Sequence, residues 1–302
     1  MFRQDRTNPS TAVSTWKARK DLPKANPSTA VSAWMNGGLA GGGAFSAYGG
    51  IITQYEDSGT TYRVHAFRGS GSFTVSAGSA DCDLLIVAGG GGPGVAGGGA
   101  GGIRHKTGVT VEAASSPYTI TVGTGGSGLI WSGTPQATDG TNTSALGFTT
   151  TGGGIGGSYT GSSYNIGGTG GSGGGTNYSG SGASGNAGSY TPVEGYDGSV
   201  NGGGGGGGGA ASGNDGGIGL ASMIGISATT RTYAGGGDYK TNGTGTGGYA
   251  GGGGQGGYDA GDGGTPNTGG GAGGKTIGSA VGGAGTPSTG ASGIVLIRYV
   301  VA

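Results

Sequence analysis

The chain has 302 residues, of which 88 are glycine, and its 14 basic residues are balanced by 14 acidic ones. Glycine loses more conformational freedom on folding than any other residue and brings no apolar side chain, so a conventional side-chain core is excluded over much of the sequence. The zero net charge removes any general attraction to nucleic acid or an anionic membrane, and the blocky glycines with only nine prolines exclude collagen.

Residues 1–36 differ in composition from the rest of the chain and contain a repeat, NPSTAVSTW at Asn8 to Trp16 and NPSTAVSAW at Asn26 to Trp34. In each copy an Asn-Pro pair supplies a helix N-cap and a favoured first-turn residue, which predicts two short helices; an extended arm is the alternative. Arg3, Arg6, Lys17, Arg19, Lys20 and Lys24 face only Asp5 and Asp21 here. Trp16 and Trp34 on so small a segment suggest anchors that dock on another protein, although packing on the adjoining domain would look the same. The N-terminus lacks the apolar stretch of a secretory leader, and no run is long enough to cross a bilayer. Synthesis in a cytoplasm is therefore expected, without membrane insertion.

Residues 37–150 read as a β-strand domain. YRVHAF, SFTVSA and DCDLLIVAG are separated by turn signals, and the continuous apolar run Leu84 to Ala88 predicts a strand buried on both faces. Cys82, the only cysteine, excludes an intrachain disulfide and reads as a buried strand thiol. GIRHKTGVTV, SPYTITVG and ALGFTT add further strands. Residues 286–302 close the chain with SGIVLIRYVV, a second fully apolar strand expected to pair beside Leu84 to Ala88.

Between these lie residues 151–285, where glycine runs such as Gly202 to Gly209 alternate with short tyrosine-bearing segments. Gly/Ser-rich chain is often flexible coil. The opposing expectation is a layer of polyglycine II helices, the left-handed extended form with three residues per turn, packed side by side through lateral backbone hydrogen bonds. Eight glycines would span about 25 Å at ~3.1 Å per residue. The fold class expected is thus mainly β: a β-sandwich-like domain with an inserted layer of packed polyglycine II helices and a short N-terminal anchoring segment.

YRVHAFRGSGSFTV, DLLIVAGGGGPGVAGGGAGGIRHKTGVTV, YTITVGTGG and the terminal GASGIVLIRY, in that order over residues 60–300, resemble the glycine-rich domain of phage tail-fibre proteins of the marine and cyanobacterial type. The central region is also similar in architecture to the polyglycine-helix adhesin at the tip of T-even-like long tail fibres. The resemblance implies a virion protein, on the tail fibre or particle surface, made in the host cytoplasm. It also implies homotrimerisation and contact with a host surface glycan or outer-membrane protein; the repeat before Met35 belongs to neither pattern, and attachment to other virion proteins through residues 1–36 is expected from its tryptophans.

Enzymatic signals are weak. GGGAGGKT at Gly269 to Thr276 fits the phosphate-cradling loop pattern, but it has neither a strand before it nor a helix after it. Glu194 with Asp197, and Asp259 with Asp262, are the available acid pairs for glycan cleavage; both read as solvated loop acids. Asp215, Asp259 and Asp262 lack the repeat of calcium-binding β-helices, and His65 and His105 stand alone, so no metal, cofactor or catalytic residue is expected. The informative residues are tyrosines. Tyr159, Tyr164, Tyr178, Tyr190, Tyr196, Tyr233, Tyr239, Tyr249 and Tyr258 sit among Ser, Thr, Asn and Gly, which is the composition of binding loops, and they are the expected receptor contacts. Tyrosines roofing the glycine layer would give the same pattern. A capsid decoration, head fibre or filament subunit without a ligand is the architectural alternative, and ice binding is disfavoured by irregular glycine spacing.

Overall fold

The computed structural model describes residues 45–128, 137–160, 163–164, 166–176, 181–239, 250–257, 261–274 and 288–301. The repeat bearing Trp16 and Trp34 lies outside them, and one compact unit runs from Phe45 to Ala302. The fold is mainly β. In chain order its strands are β1 (Ser46–Tyr48), β2 (Ile51–Asp57), β3 (Thr60–Phe67), β4 (Gly71–Ala77), β5 (Ser79–Val87), β6 (Ile103–Glu112), β7 (Tyr118–Ile120), β8 (Thr143–Ala145), β9 (Phe148–Thr150), β10 (Tyr159–Thr160), β11 (Ser163–Tyr164), β12 (Leu220–Ser222), β13 (Arg231–Tyr233) and β14 (Ile294–Val300).

A five-stranded antiparallel sheet, ordered β2-β3-β14-β5-β6, is the base of the molecule. The closing strand does lie beside the first apolar run: β14 enters between β3 and β5, with Leu296 opposite Ala66 and Leu85, and Ile297 opposite His65 and Leu84. Because side chains alternate across a strand, each apolar run feeds two cores. Cys82, Leu84, Ile86, Val295, Ile297 and Tyr299 meet Ala47, Phe73, Val75 and Ile120 of the three-stranded sheet β1-β4-β7, forming the sandwich. Leu85, Val87, Ile294 and Leu296 point the other way, where Ile103, Ile224, Tyr233 and Ala234 cover them. Burying each such side chain is worth about 2 kcal/mol, and this is where the conventional hydrophobic stabilisation is concentrated.

Above the sheet the strands run on as glycine rods. The amides of Ala88, Gly89, Gly90, Gly91 and Gly92 donate in turn to the carbonyls of Gly102, Thr141, Ala291, Gly99 and Thr138. Every third residue thus returns to the same neighbour, with the partner number falling by three: Gly102 then Gly99, Thr141 then Thr138. That is the pattern of a three-residue-per-turn helix beside antiparallel copies, the polyglycine II arrangement.

The rod Gly97–Gly102 shows the lattice complete. Its amides serve three rods in rotation: Gly97 and Ala100 donate to Gly202 and Gly205, Gly98 and Gly101 to Ala272 and Gly269, and Gly99 and Gly102 to Gly154 and Thr151. Its carbonyls accept from three more, through Gly175 and Ser172, Gly237, and Gly91 and Ala88. Six neighbours around one rod define hexagonal packing. A Cβ on Gly98 would stand 2.2 Å from the Gly91 carbonyl oxygen, so at this position only glycine lets the rods approach this closely. The lattice also extends beyond residues 151–285, since 88–102, 123–128, 138–141 and 288–293 are part of it.

Candidate functional site

The direction of each rod is fixed by its hydrogen-bond register. Gly89–Gly94 leaves β5 and leads away from the sheet. Residues 151–157 run parallel to it, through Gly153 to Gly89 and Gly156 to Gly92, and residues 172–176 run parallel to those, through Gly154 to Ser172 and Gly157 to Gly175. Gly97–Gly102 leads back into β6, and residues 202–207 accompany it; residues 234–239 are antiparallel to these and lead away again. Parallel pairing then carries 251–257 and 269–274 in that same outward direction. The lattice consequently has a distal end, opposite the sheet, at which rod after rod finishes.

One hairpin with described backbone stands there. After the outward rod 151–157, β10 pairs with β11, and Tyr159 is opposite Tyr164. The sequence therefore places two of its expected contact residues side by side at the end farthest from the sheet. Tyr178, Tyr249 and Tyr258 lie outside the described residues. The other four separate. Tyr196 is on the flank, 40% exposed. Tyr190, half-buried, is at the base of the lattice, where the Arg104 guanidinium carbon sits 3.7 Å from its ring centroid.

Tyr233 and Tyr239 are buried, at 2% and 6% exposure, which corrects their assignment as contact residues. Tyr233 ends β13 and packs in the second core beneath the sheet with Ile224 and Leu296, and burial raises its phenol pKa. Tyr239 lies over Gly202, where the left-handed φ of +107° and a Cβ position 2.4 Å from the Tyr239 Cδ1 both require glycine. These rings fill the lattice boundary. Nothing in the local sequence separates them from the exposed Tyr196, because the difference is set by which rods become neighbours.

Glu194 is likewise corrected: it is fully buried, not solvated. Its Oε2 accepts from the Thr151 amide at 2.8 Å and its Oε1 from the Gly188 amide at 3.0 Å. The carboxylate therefore closes the base of the lattice, satisfying two amides that no rod serves. Asp197 accepts the Gly185 amide at 2.8 Å, and Asp262 is exposed; Asp259 lies outside the described residues. Of these acids, Glu194 and Asp197 serve backbone amides and Asp262 faces solvent.

The phosphate-loop pattern begins inside the lattice. The amides of Gly271, Ala272, Gly273 and Gly274 donate to Gly235, Gly91, Asp262 and Asp238, so they are not free to cradle a phosphate. His65 is buried between the sheets, its Nδ1 2.8 Å from the Gly49 carbonyl oxygen and its Nε2 3.1 Å from the Tyr299 hydroxyl. Gly49 O can only accept, so Nδ1 carries the proton and Tyr299 donates to Nε2. Among the described residues no three His, Cys, Asp or Glu side chains form a group able to hold a metal ion.

Two structural features have only faint sequence signals. The Arg104–Tyr190 stack joins residues far apart in the chain, and its trace is the basic GIRHK directly after a glycine run. The hexagonal rod 97–102 falls in the segment read as part of the strand domain. Comparison with known proteins found neither a curated protein nor a solved structure that matches the chain. The model of the glycine-rich domain does match, over residues 65–300, a span that begins in β3 and ends in β14 and so takes in both sheet and lattice. On that match the chain belongs to the glycine-rich domain family.

Proposed function

We propose that this chain is a non-enzymatic structural protein of a phage particle, a tail fibre or fibre-tip adhesin. It contacts a host surface glycan or outer-membrane protein through the distal end of its glycine lattice. The observation that carries this reading is the placement of the Tyr159–Tyr164 hairpin on a rigid array whose rods finish together, away from the sheet. A contact surface gains affinity when its residues are held in place before binding, and a lattice that hydrogen-bonds in several directions supplies that support. The order of strand, glycine block and closing strand resembles phage tail-fibre domains, which supports a virion setting. Residues 1–36 would then serve as the attachment to other virion proteins, with Trp16 and Trp34 as anchors, and a homotrimer would present three distal ends.

The test is binding of the full chain to intact cells of candidate host bacteria, beside a variant with Tyr159 and Tyr164 changed to alanine. Saturable binding that the double variant loses by about tenfold or more, with an unchanged melting temperature, is the expected result. A native protein that binds no cell would leave the architectural reading, in which the lattice is a decoration or filament element.

A further inference from the structure

On the flank where the sheet passes into the lattice, two cations and two aromatic rings meet. Arg104 and Lys106 are two apart on the edge strand β6, opposite Ile86 and Leu84, so both project on the sandwich side with Cα atoms about 6.6 Å apart. The Arg104 guanidinium carbon is 3.7 Å from the Tyr190 ring centroid and 5.8 Å from that of Phe148; Lys106 Nζ is 5.6 Å from Phe148. Arg104 Nη1 also donates to the Thr149 carbonyl at 2.7 Å. The guanidinium is thus held by a ring face and one hydrogen bond, which leaves further in-plane donors in a fixed fork. Both side chains keep part of their surface in solvent, so they remain open to a ligand.

Among the described residues neither cation has a carboxylate partner. The ion pair there is Arg298 with Asp83, on the opposite face of the sheet. Glu194, in the loop that carries Tyr190, commits both carboxylate oxygens to backbone amides. In a chain of zero net charge, a held guanidinium beside an ammonium, neither with a carboxylate partner among the described residues, favours an anionic group at this place. Two cations engage one or two anionic groups of a ligand at a time and fall short of the long positive tract that duplex nucleic acid needs. The ring face of Tyr190 is occupied by Arg104, so its part here is to orient that side chain and not to stack on a sugar.

We propose that Arg104 and Lys106, supported by Tyr190 and Phe148, bind the carboxylate or phosphate group of an acidic polysaccharide. This site is separate from the distal hairpin and does not depend on it. The experiment is calorimetric titration of the full chain with oligogalacturonate as the carboxylate probe, phosphomannan as the phosphate probe and neutral mannan as the control. Binding of at least one acidic chain but not of mannan is expected, weakening as salt is raised. Arg104→Gln and Lys106→Gln should each weaken it by about tenfold, and whichever probe binds identifies the group recognised. Lys106→Gln removes only a ring contact, so it keeps the test valid if Arg104→Gln loosens the Tyr190 loop. Failure of both acidic chains to bind the native protein, or native affinity in Lys106→Gln, would overturn the proposal, and the outcome with Tyr159 and Tyr164 replaced is unaffected either way.

Discussion

At the scale of single residues, glycine has two unlike roles in this chain, and alanine substitution separates them. Gly98 lies in the hexagonal rod, where a Cβ would fall 2.2 Å from a backbone oxygen and nothing flexible can yield. Gly98→Ala should therefore cost about 3 kcal/mol and lower the melting temperature by several degrees. Gly69, in an exposed turn, has nothing within 4 Å of the same position and no left-handed φ. Gly69→Ala should stay within about 0.5 kcal/mol of the native protein, tending to stabilise it by restricting the unfolded chain. Equal melting shifts for the two would show that the rods are not closely packed. Titration gives a second check at this scale. Burial lowers the pKa of His65 below the ordinary histidine value of about 6.5, so the unfolded chain takes up that proton first. Stability should be full above about pH 6.5 and fall as pH drops towards the folded-state value, and His65→Gln should flatten this slope in melts between about pH 7.5 and 5. Cys82 is the converse: burial and the flanking Asp81 and Asp83 push its thiol up to about 12. It should not react with a disulfide reagent at about pH 8 until the protein is unfolded.

At the scale of elements, what could be read from the sequence is what side chains encode. The apolar runs of β5 and β14 are each too uniform to face water on either side, and their pairing follows from that alone. The tyrosine segments are different. Tyr159, Tyr196 and Tyr233 stand in near-identical polar glycine-rich contexts, yet one is in a distal hairpin, one on the flank and one in the core, because placement depends on backbone-to-backbone register that leaves no side-chain pattern. Glu194 was obscured for the same reason: its partners are amides of residues 151 and 188 that become neighbours only when rods stack. The environment makes the two nearby acids unequal. Glu194→Ala strands two amides in a buried site and should cost about 2–4 kcal/mol, whereas Asp197→Ala, losing one amide bond at an exposed position, should cost about 1 kcal/mol or less. Comparable denaturation midpoints would remove Glu194 from its place at the base of the lattice.

At the scale of the whole molecule, sheet and lattice share their chain directly: β5, β6 and β14 continue without a break into rods 89–94, 97–102 and 288–293, and the antiparallel register of β5 with β6 carries on as Ala88 to Gly102 and Gly91 to Gly99. A rod buries little apolar side chain, so its stability rests on hydrogen bonds and close packing, each worth about 1 kcal/mol or less net and effective only when the neighbours are in place. Such an array cannot lose one interior rod cheaply. Removing Gly97–Gly102 would break bonds to six others at once. The lattice should therefore open together with the sheet, as one cooperative unit, and not as a soft insertion on a stable sandwich. Native-state amide exchange checks this directly. The amides of Gly98 to Gly101 should exchange at the rate set by global unfolding, matching Leu85 and Leu296 in the central strands, and mild denaturant should move both sets along the same slope. Glycine amides that exchange as fast as free peptide, while β14 stays protected, would mean that the rods melt independently and that the distal hairpin lacks a rigid support.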